Sequence, residues 1–148
     1  MPTLLERALK GERVPIAFLG GHECSFDLEY YDDVSNTAVV AAIRNLLEAP
    51  RELLGKTTAY VVQYCRDWRR DIDLTRRMDV WKHVQLGHRF DVFAKEDGVY
   101  LSLECNCDWE EEHGLQLVFR DGTEITKVGR FDGDLKTESG DVYDNGYD

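Results

Sequence analysis

The spacing of apolar residues changes character partway along this chain, and that change limits the folds open to it. Between Thr37 and Leu47, Val39, Val40, Ile43, Leu46 and Leu47 recur at the three- and four-residue intervals of an amphipathic helix. Asp32-Asp33-Val34-Ser35-Asn36 supplies turn and capping residues ahead of it. Pro50 suits the first turn of a second helix reaching to about Trp68, with Leu53, Leu54, Tyr60, Val61, Tyr64, Cys65 and Trp68 as its apolar set. Gly55 and Thr57-Thr58 weaken the intrinsic helix propensity of its first half. From Arg89 the period becomes two: Phe90, Val92 and Ala94 alternate with polar residues, Glu96-Asp97-Gly98 turns the chain, and Val99 to Trp109 resumes the alternation. Leu115 to Phe119 and Thr123 to Val128 are joined through Asp121-Gly122, a strong hairpin signal.

Ahead of the helices, Arg13 to Leu19 and Cys24 to Tyr31 read as two strands separated by Gly20-Gly21. In the second, Cys24, Phe26 and Leu28 alternate with Ser25, Asp27 and Glu29, giving one apolar and one wet face and placing the pair at a sheet edge. Arg69 to Arg77 reads as a charged, solvated connector, and Val80 to Val84 as a short strand or turn. The expected fold is therefore α+β: an antiparallel β-sheet meander with two helices packed on one face. One domain is expected over residues 1–136, followed by a flexible acidic tail over 137–148, where apolar anchors are few.

The length of 148 residues is enough for a real hydrophobic core. A net charge of -11, from 29 Asp plus Glu against 18 Lys plus Arg, works against nucleic acid and anionic membranes and favours a basic partner. No apolar run is long enough to span a bilayer, and Met1 to Arg7 lacks the apolar core of a signal peptide, so a cytoplasmic location is expected. Four cysteines, Cys24, Cys65, Cys105 and Cys107, are expected to be reduced and structural. Leu19-Gly20-Gly21-His22 matches no phosphate-binding glycine pattern and reads as a turn.

Chemistry-bearing residues crowd into Glu104 to Leu115. On a strand, Cys105, Cys107 and Trp109 share the core face while Glu104, Asn106 and Asp108 share the other. Glu104 and Asp108 would then lie about 13 Å apart along the strand, too far for one small ion unless the strand bends. Three chemical readings stay open. Zinc would use Cys105, Cys107 and His113, with His88 or Cys24 completing the set; a harder cation would use Glu104, Asp108, Asn106 and neighbouring carboxylates. A hydrolase would set Glu104 or Asp108 beside His113, with Cys107 as nucleophile. A protein-binding module would present Asp108, Glu110, Glu111, Glu112 and His113 to a basic surface. Two further acidic groups support the third reading: Asp27, Glu29, Asp32 and Asp33, and Asp132, Asp134, Glu138, Asp141, Asp144 and Asp148.

The segment Val99 to Trp109, with Glu112-His113-Gly114-Leu115 and Asp121-Gly122, resembles a family of small bacterial proteins sharing a domain of unknown function. Its pattern here reads C-x-C-D-W-x-x-E-H-G-L, from Cys105 to Leu115. Lys127-Val128-Gly129, Phe131-Asp132-Gly133-Asp134-Leu135 and Trp81-Lys82-His83-Val84 extend the likeness, while Glu111 stands where the family pattern often has proline. The resemblance implies a shared fold and fold-level roles: Asp108 capping the turn, Glu112 holding His113 or backbone N–H groups, Gly114 permitting a tight path, Trp109 anchoring the hairpin. Some members resemble immunity proteins that neutralise a toxin. The function expected is thus an acidic, cytoplasmic protein-binding module without catalytic residues, metal or other cofactor, acting on a protein partner such as a basic toxin. The alternatives are a metal-dependent or cysteine/histidine hydrolase and a purely structural domain.

Overall fold

The computed structural model describes residues 1–28 and 36–143. The expected strand and turn residues Glu29 to Ser35, and the tail residues from Asp144 onward, lie outside that range. The chain opens with helix α1 (Leu4–Leu9), which the apolar pattern alone did not mark. Its start is fixed by a capping box in which the Thr3 hydroxyl accepts from the Glu6 N–H and the Glu6 carboxylate reaches back to the Thr3 N–H.

Strand β1 (Val14–Ile16) runs into a 3-10 turn at Ala17–Leu19, so the first expected strand is cut short. Gly20 and Gly21, both at positive φ, return the chain into β2 (His22–Asp27). Helix α2 (Thr37–Leu47) begins where Asn36 accepts from the Ala38 and Val39 N–H groups. Helix α3 (Arg51–Trp68) follows Pro50; Thr57 and Thr58 turn their hydroxyls onto the Leu53 and Leu54 carbonyls, which accommodates these polar residues in the packed helix.

A 3-10 segment at Arg77–His83 leads to the strands β3 (Val84–Gln85), β4 (Arg89–Lys95), β5 (Gly98–Cys107), β6 (Leu115–Arg120) and β7 (Glu124–Gly129). Asp121 and Gly122 both take positive φ (55° and 74°), the conformations of the two central residues of a tight turn that the Thr123 N–H closes onto the Arg120 carbonyl (3.1 Å). Gly122 also lies so close to α2 that a Cβ would stand 2.1 Å from the Ala42 carbonyl oxygen.

The α+β class holds, but the simple antiparallel meander with two helices does not. Among the described residues there are three α-helices and two 3-10 segments, and the open sheet runs β1-β2-β4-β5-β6-β7 with β3 attached to β5. Strands β2 and β4 are parallel, pairing Ser25 with Arg89 and Phe26 with Phe90. A parallel pair needs a long crossover, and α2 and α3 lie within it. Strands β3 and β4 both lie on the same side of β5, interrupted at Leu86 to His88. Gly87 makes that interruption possible, since a Cβ there would sit 2.1 Å from the Glu104 carbonyl oxygen.

The core lies between the helices and one sheet face. Val39, Ala42, Ile43 and Leu46 of α2 and Leu53, Val61 and Cys65 of α3 join Leu101, Leu103, Leu115, Leu117 and Phe119. The opposite face is also covered over β5 to β7, where Ser102, Gln116, Val118 and Lys127 are buried. The Lys127 ammonium donates to Gln116 Oε1 (2.7 Å), the Asp132 carboxylate and the Asp134 carbonyl (3.2 Å), and Gln116 donates onward to Ser102 Oγ (2.9 Å). Farther along, the Val128 N–H donates to the Val142 carbonyl and Tyr143 donates its hydroxyl proton to Asp67 (2.8 Å), tying this C-terminal stretch to β7 and α3. No described helix is long and apolar enough to cross a membrane.

Candidate functional site

The turn between β5 and β6 is organised by Glu110, a carboxylate that the protein-binding reading expected to face a partner. Glu110 is buried, and its Oε1 accepts from the Glu112 N–H (2.8 Å) and the His113 N–H (3.0 Å). Its Oε2 accepts from His113 Nδ1–H at 2.6 Å. Burial pushes the Glu110 carboxyl up, but the hydrogen bonds from His113 and Glu112 outweigh it and hold it below the usual range. The role the family likeness implied for Glu112 is thus filled by Glu110.

Four further contacts fasten the same turn. The Gly114 N–H and the Cys107 thiol both donate to the Glu110 carbonyl. Tyr64 donates its hydroxyl to the Gly114 carbonyl (2.7 Å), and the Phe131 N–H donates to the His113 carbonyl (3.2 Å). Gly114 takes φ +69°, and a Cβ there would meet the Cys105 carbonyl oxygen at 2.4 Å, so the tight path requires glycine. Trp109 is buried edge-to-face against Tyr64, with centroids 5.5 Å apart, which anchors the turn to α3. Its indole N–H is buried without a hydrogen-bond partner.

Asp108 points elsewhere. Its carboxylate accepts from His83 Nδ1–H (2.9 Å) and Gln85 Nε2–H (3.2 Å), while its N–H donates to the His83 carbonyl. Two carboxylate–histidine pairs therefore flank the turn, Glu110 with His113 and Asp108 with His83. Sequence reasoning missed both pairings; the second joins residues 25 positions apart through the β3–β5 ladder, which the short Val84–Gln85 strand barely signals. Glu111 and Glu112 are exposed, as are Glu104 and Asn106 on the outer face of β5.

The thiols are set for packing rather than reaction. Cys105 and Cys107 are buried on the core face, and burial pushes their thiols up to about 12 and about 11. Cys24 is likewise pushed up to about 11, and Cys65 is raised, in both cases mainly by burial. A nucleophile or zinc ligand must be a thiolate, and these environments disfavour one. Glu104, Asp108 and His113 are not drawn together: among the described residues, no group of three or more His, Cys, Asp or Glu is placed to hold a metal ion.

No curated protein and no solved structure matches the chain. A family model does match residues 4–135, from the first residue of α1 to the segment that covers Lys127. The chain belongs to the DUF6985 family, a domain of unknown function.

Proposed function

We propose that this chain is a small acidic protein-binding module that neutralises a basic partner by covering part of its surface, in the manner of a cytoplasmic immunity protein acting on a toxin. One observation carries the reading. Glu110 is consumed inside the turn, so the turn's backbone is held in place while Glu111, Glu112 and the edge of His113 face solvent. A charged loop held rigid before binding loses less conformational entropy on association than a mobile one. Asp108, Glu104 and Asn106 are exposed as well, along β5 and just beyond its end. The net charge of -11 adds long-range attraction for a basic protein and discourages anionic ligands.

The cysteine hydrolase reading is weakened by the raised thiols, since a neutral buried thiol is a poor nucleophile. Acid–base chemistry keeps one favourable feature, the Asp108–His83 pair, in which the carboxylate fixes the imidazole tautomer. The test is a triple charge reversal, Asp108→Lys, Glu111→Lys and Glu112→Lys, with partner binding followed by native mass spectrometry and by titration at several salt concentrations. Loss of affinity of tenfold or more, together with steep salt dependence in the wild type, is expected. Unchanged affinity in a folded triple variant would defeat the acidic interface.

A further inference from the structure

Tyr64 of α3 stands between two segments that lie far apart in sequence. On one side its hydroxyl donates to the Gly114 carbonyl (2.7 Å) at the exit of the acidic turn, and its ring meets Trp109 edge-to-face. On the other its ring lies 6.0 Å from that of Tyr143, tilted by 44°, within the range of about 4.5–7 Å at which aromatic side chains pack. Tyr64 is buried, whereas Tyr143 is half-buried. Two bonds hold Tyr143 there. Its hydroxyl donates to Asp67 (2.8 Å), three residues beyond Tyr64 on α3, and the carbonyl of the preceding Val142 accepts from the Val128 N–H (2.9 Å) of β7, the last strand of the sheet.

We propose that Val142 and Tyr143 form a clasp that sets the rigidity of the acidic turn through Tyr64; its consequence for partner binding rests on the protein-binding reading above. With the clasp closed, Tyr143 and Trp109 both pack on Tyr64, which keeps the phenol aimed at the Gly114 carbonyl. With it open, Tyr64 loses one of those packing partners and meets water, which competes for its hydroxyl and loosens the hold on Gly114. Opening leaves the sheet intact. Strand β7 keeps its ladder with β6 from Gln116 and Gly129 to Arg120 and Glu124, and the Phe131 N–H still donates to the His113 carbonyl, so the turn loosens without unfolding. The bond between Tyr143 and Asp67 lies at the surface, where local opening costs least. Coupling of this kind travels through packed rings and hydrogen bonds in contact with one another, here Tyr143, Tyr64 and Gly114 in sequence. The clasp also lies beyond residues 4–135 that the family model matches, while Tyr64, Trp109 and Gly114 lie within them, so it acts on the shared turn from outside the matched region.

The experiment is amide hydrogen exchange of the full chain, read residue by residue by NMR, in the wild type, Tyr143→Ala and Tyr143→Phe. The reporters are the Glu112, His113 and Gly114 amides, all of which donate to Glu110. Tyr143→Ala is expected to speed their exchange tenfold or more, and Tyr143→Phe, which keeps the ring and loses the bond to Asp67, by a smaller factor. The Ile43 and Leu46 amides of α2 are expected to stay within twofold in both. A double-variant cycle tests the route: in a Tyr64→Phe background, which lacks the bond to Gly114, Tyr143→Ala is expected to add less than twofold at the turn. Unchanged exchange at the three turn amides, an equal rise in α2, or a full tenfold effect in the Tyr64→Phe background would each overturn the clasp. Exchange is read without any partner, and the acidic interface is tested by the charge reversal described above, so the two readings fail separately.

Discussion

The Glu110 carboxylate and the His113 imidazole meet at 2.6 Å across a three-residue turn, and the same carboxylate also holds the His113 and Glu112 N–H groups. One buried side chain thereby satisfies three donors, which makes Glu110 the keystone of the segment that displays its acidic neighbours. Removing it takes the partner from two part-buried backbone N–H groups. Glu110→Ala is expected to lower unfolding free energy by about 1–3 kcal/mol. Glu111→Ala and Glu112→Ala, on exposed positions, are expected to stay within about 0.5 kcal/mol. Urea denaturation of the three variants checks this, and equal effects at all three positions would contradict the keystone role.

The same carboxylate makes stability depend on acid. The Glu110 carboxyl is lowered in the folded state, so its contribution is complete above the unfolded value of about 4.3 and is lost as pH falls through the lower folded value. Asp132, where burial raises the carboxyl but the Lys127 ammonium and the Asp134 N–H lower it further, adds in the same direction. Unfolding free energy is expected to fall as pH drops from about 5, and Glu110→Gln is expected to flatten that slope. Denaturation midpoints measured across pH 3 to 7 test it; an identical slope in Glu110→Gln would refute the assignment.

Lys127 is 4% exposed and bonds to three partners on the outer sheet face. Lys127→Ala strands the Gln116 carbonyl and weakens the hold on Asp132, and a loss of about 2–4 kcal/mol is expected. Lys127→Met paired with Gln116→Leu, which removes the buried polar partners together, is expected to recover part of that loss. Thermal unfolding of the single and double variants gives the comparison.

The cysteines should be silent in the native protein. With Cys105 and Cys107 buried and their thiols raised to about 12 and about 11, alkylation at neutral pH is expected to follow global unfolding rather than precede it. Mass-resolved alkylation with and without denaturant checks this. Rapid native labelling of Cys107 would reopen nucleophilic chemistry at the turn.

Glycine at position 114 is also open to test. Gly114→Ala combines a positive φ with a 2.4 Å approach to the Cys105 carbonyl, and a loss of about 2 kcal/mol or more is expected. Gly133→Ala, also at positive φ but with nothing within 4 Å of its Cβ position, is expected to cost about 1 kcal/mol, from backbone strain alone. Chemical denaturation separates the two contributions.

Much of the local structure was legible from residue spacing. The apolar positions of α2 and α3 repeat within a few residues, so Thr37–Leu47 and the helix ending at Trp68 could be read directly. The alternation from Arg89 onward, and Asp121-Gly122 with its two positive φ values, announced β4 to β7. Strand alternation also puts Cys105, Cys107 and Trp109 on the core side, where all three are buried. Helix α1 escaped because six residues offer too little periodicity, and only the Thr3 and Glu6 capping box signals it.

What the sequence determined by itself was the set of elements and which face of each is apolar, because both follow from interactions within a few residues. The tertiary structure alone decided which elements neighbour one another. The parallel pairing of β2 with β4 depends on a crossover that buries α2 and α3 against the sheet, and no local pattern encodes that choice. Its consequences are chemical: Asp108 meets His83, Glu110 rather than Asp108 meets His113, and His22 reaches the Gly87 carbonyl 65 residues away beside His88. A residue's partner is set by where burial and strand register carry it, so the acidic stretch held the right residues while only the fold could say which of them face solvent.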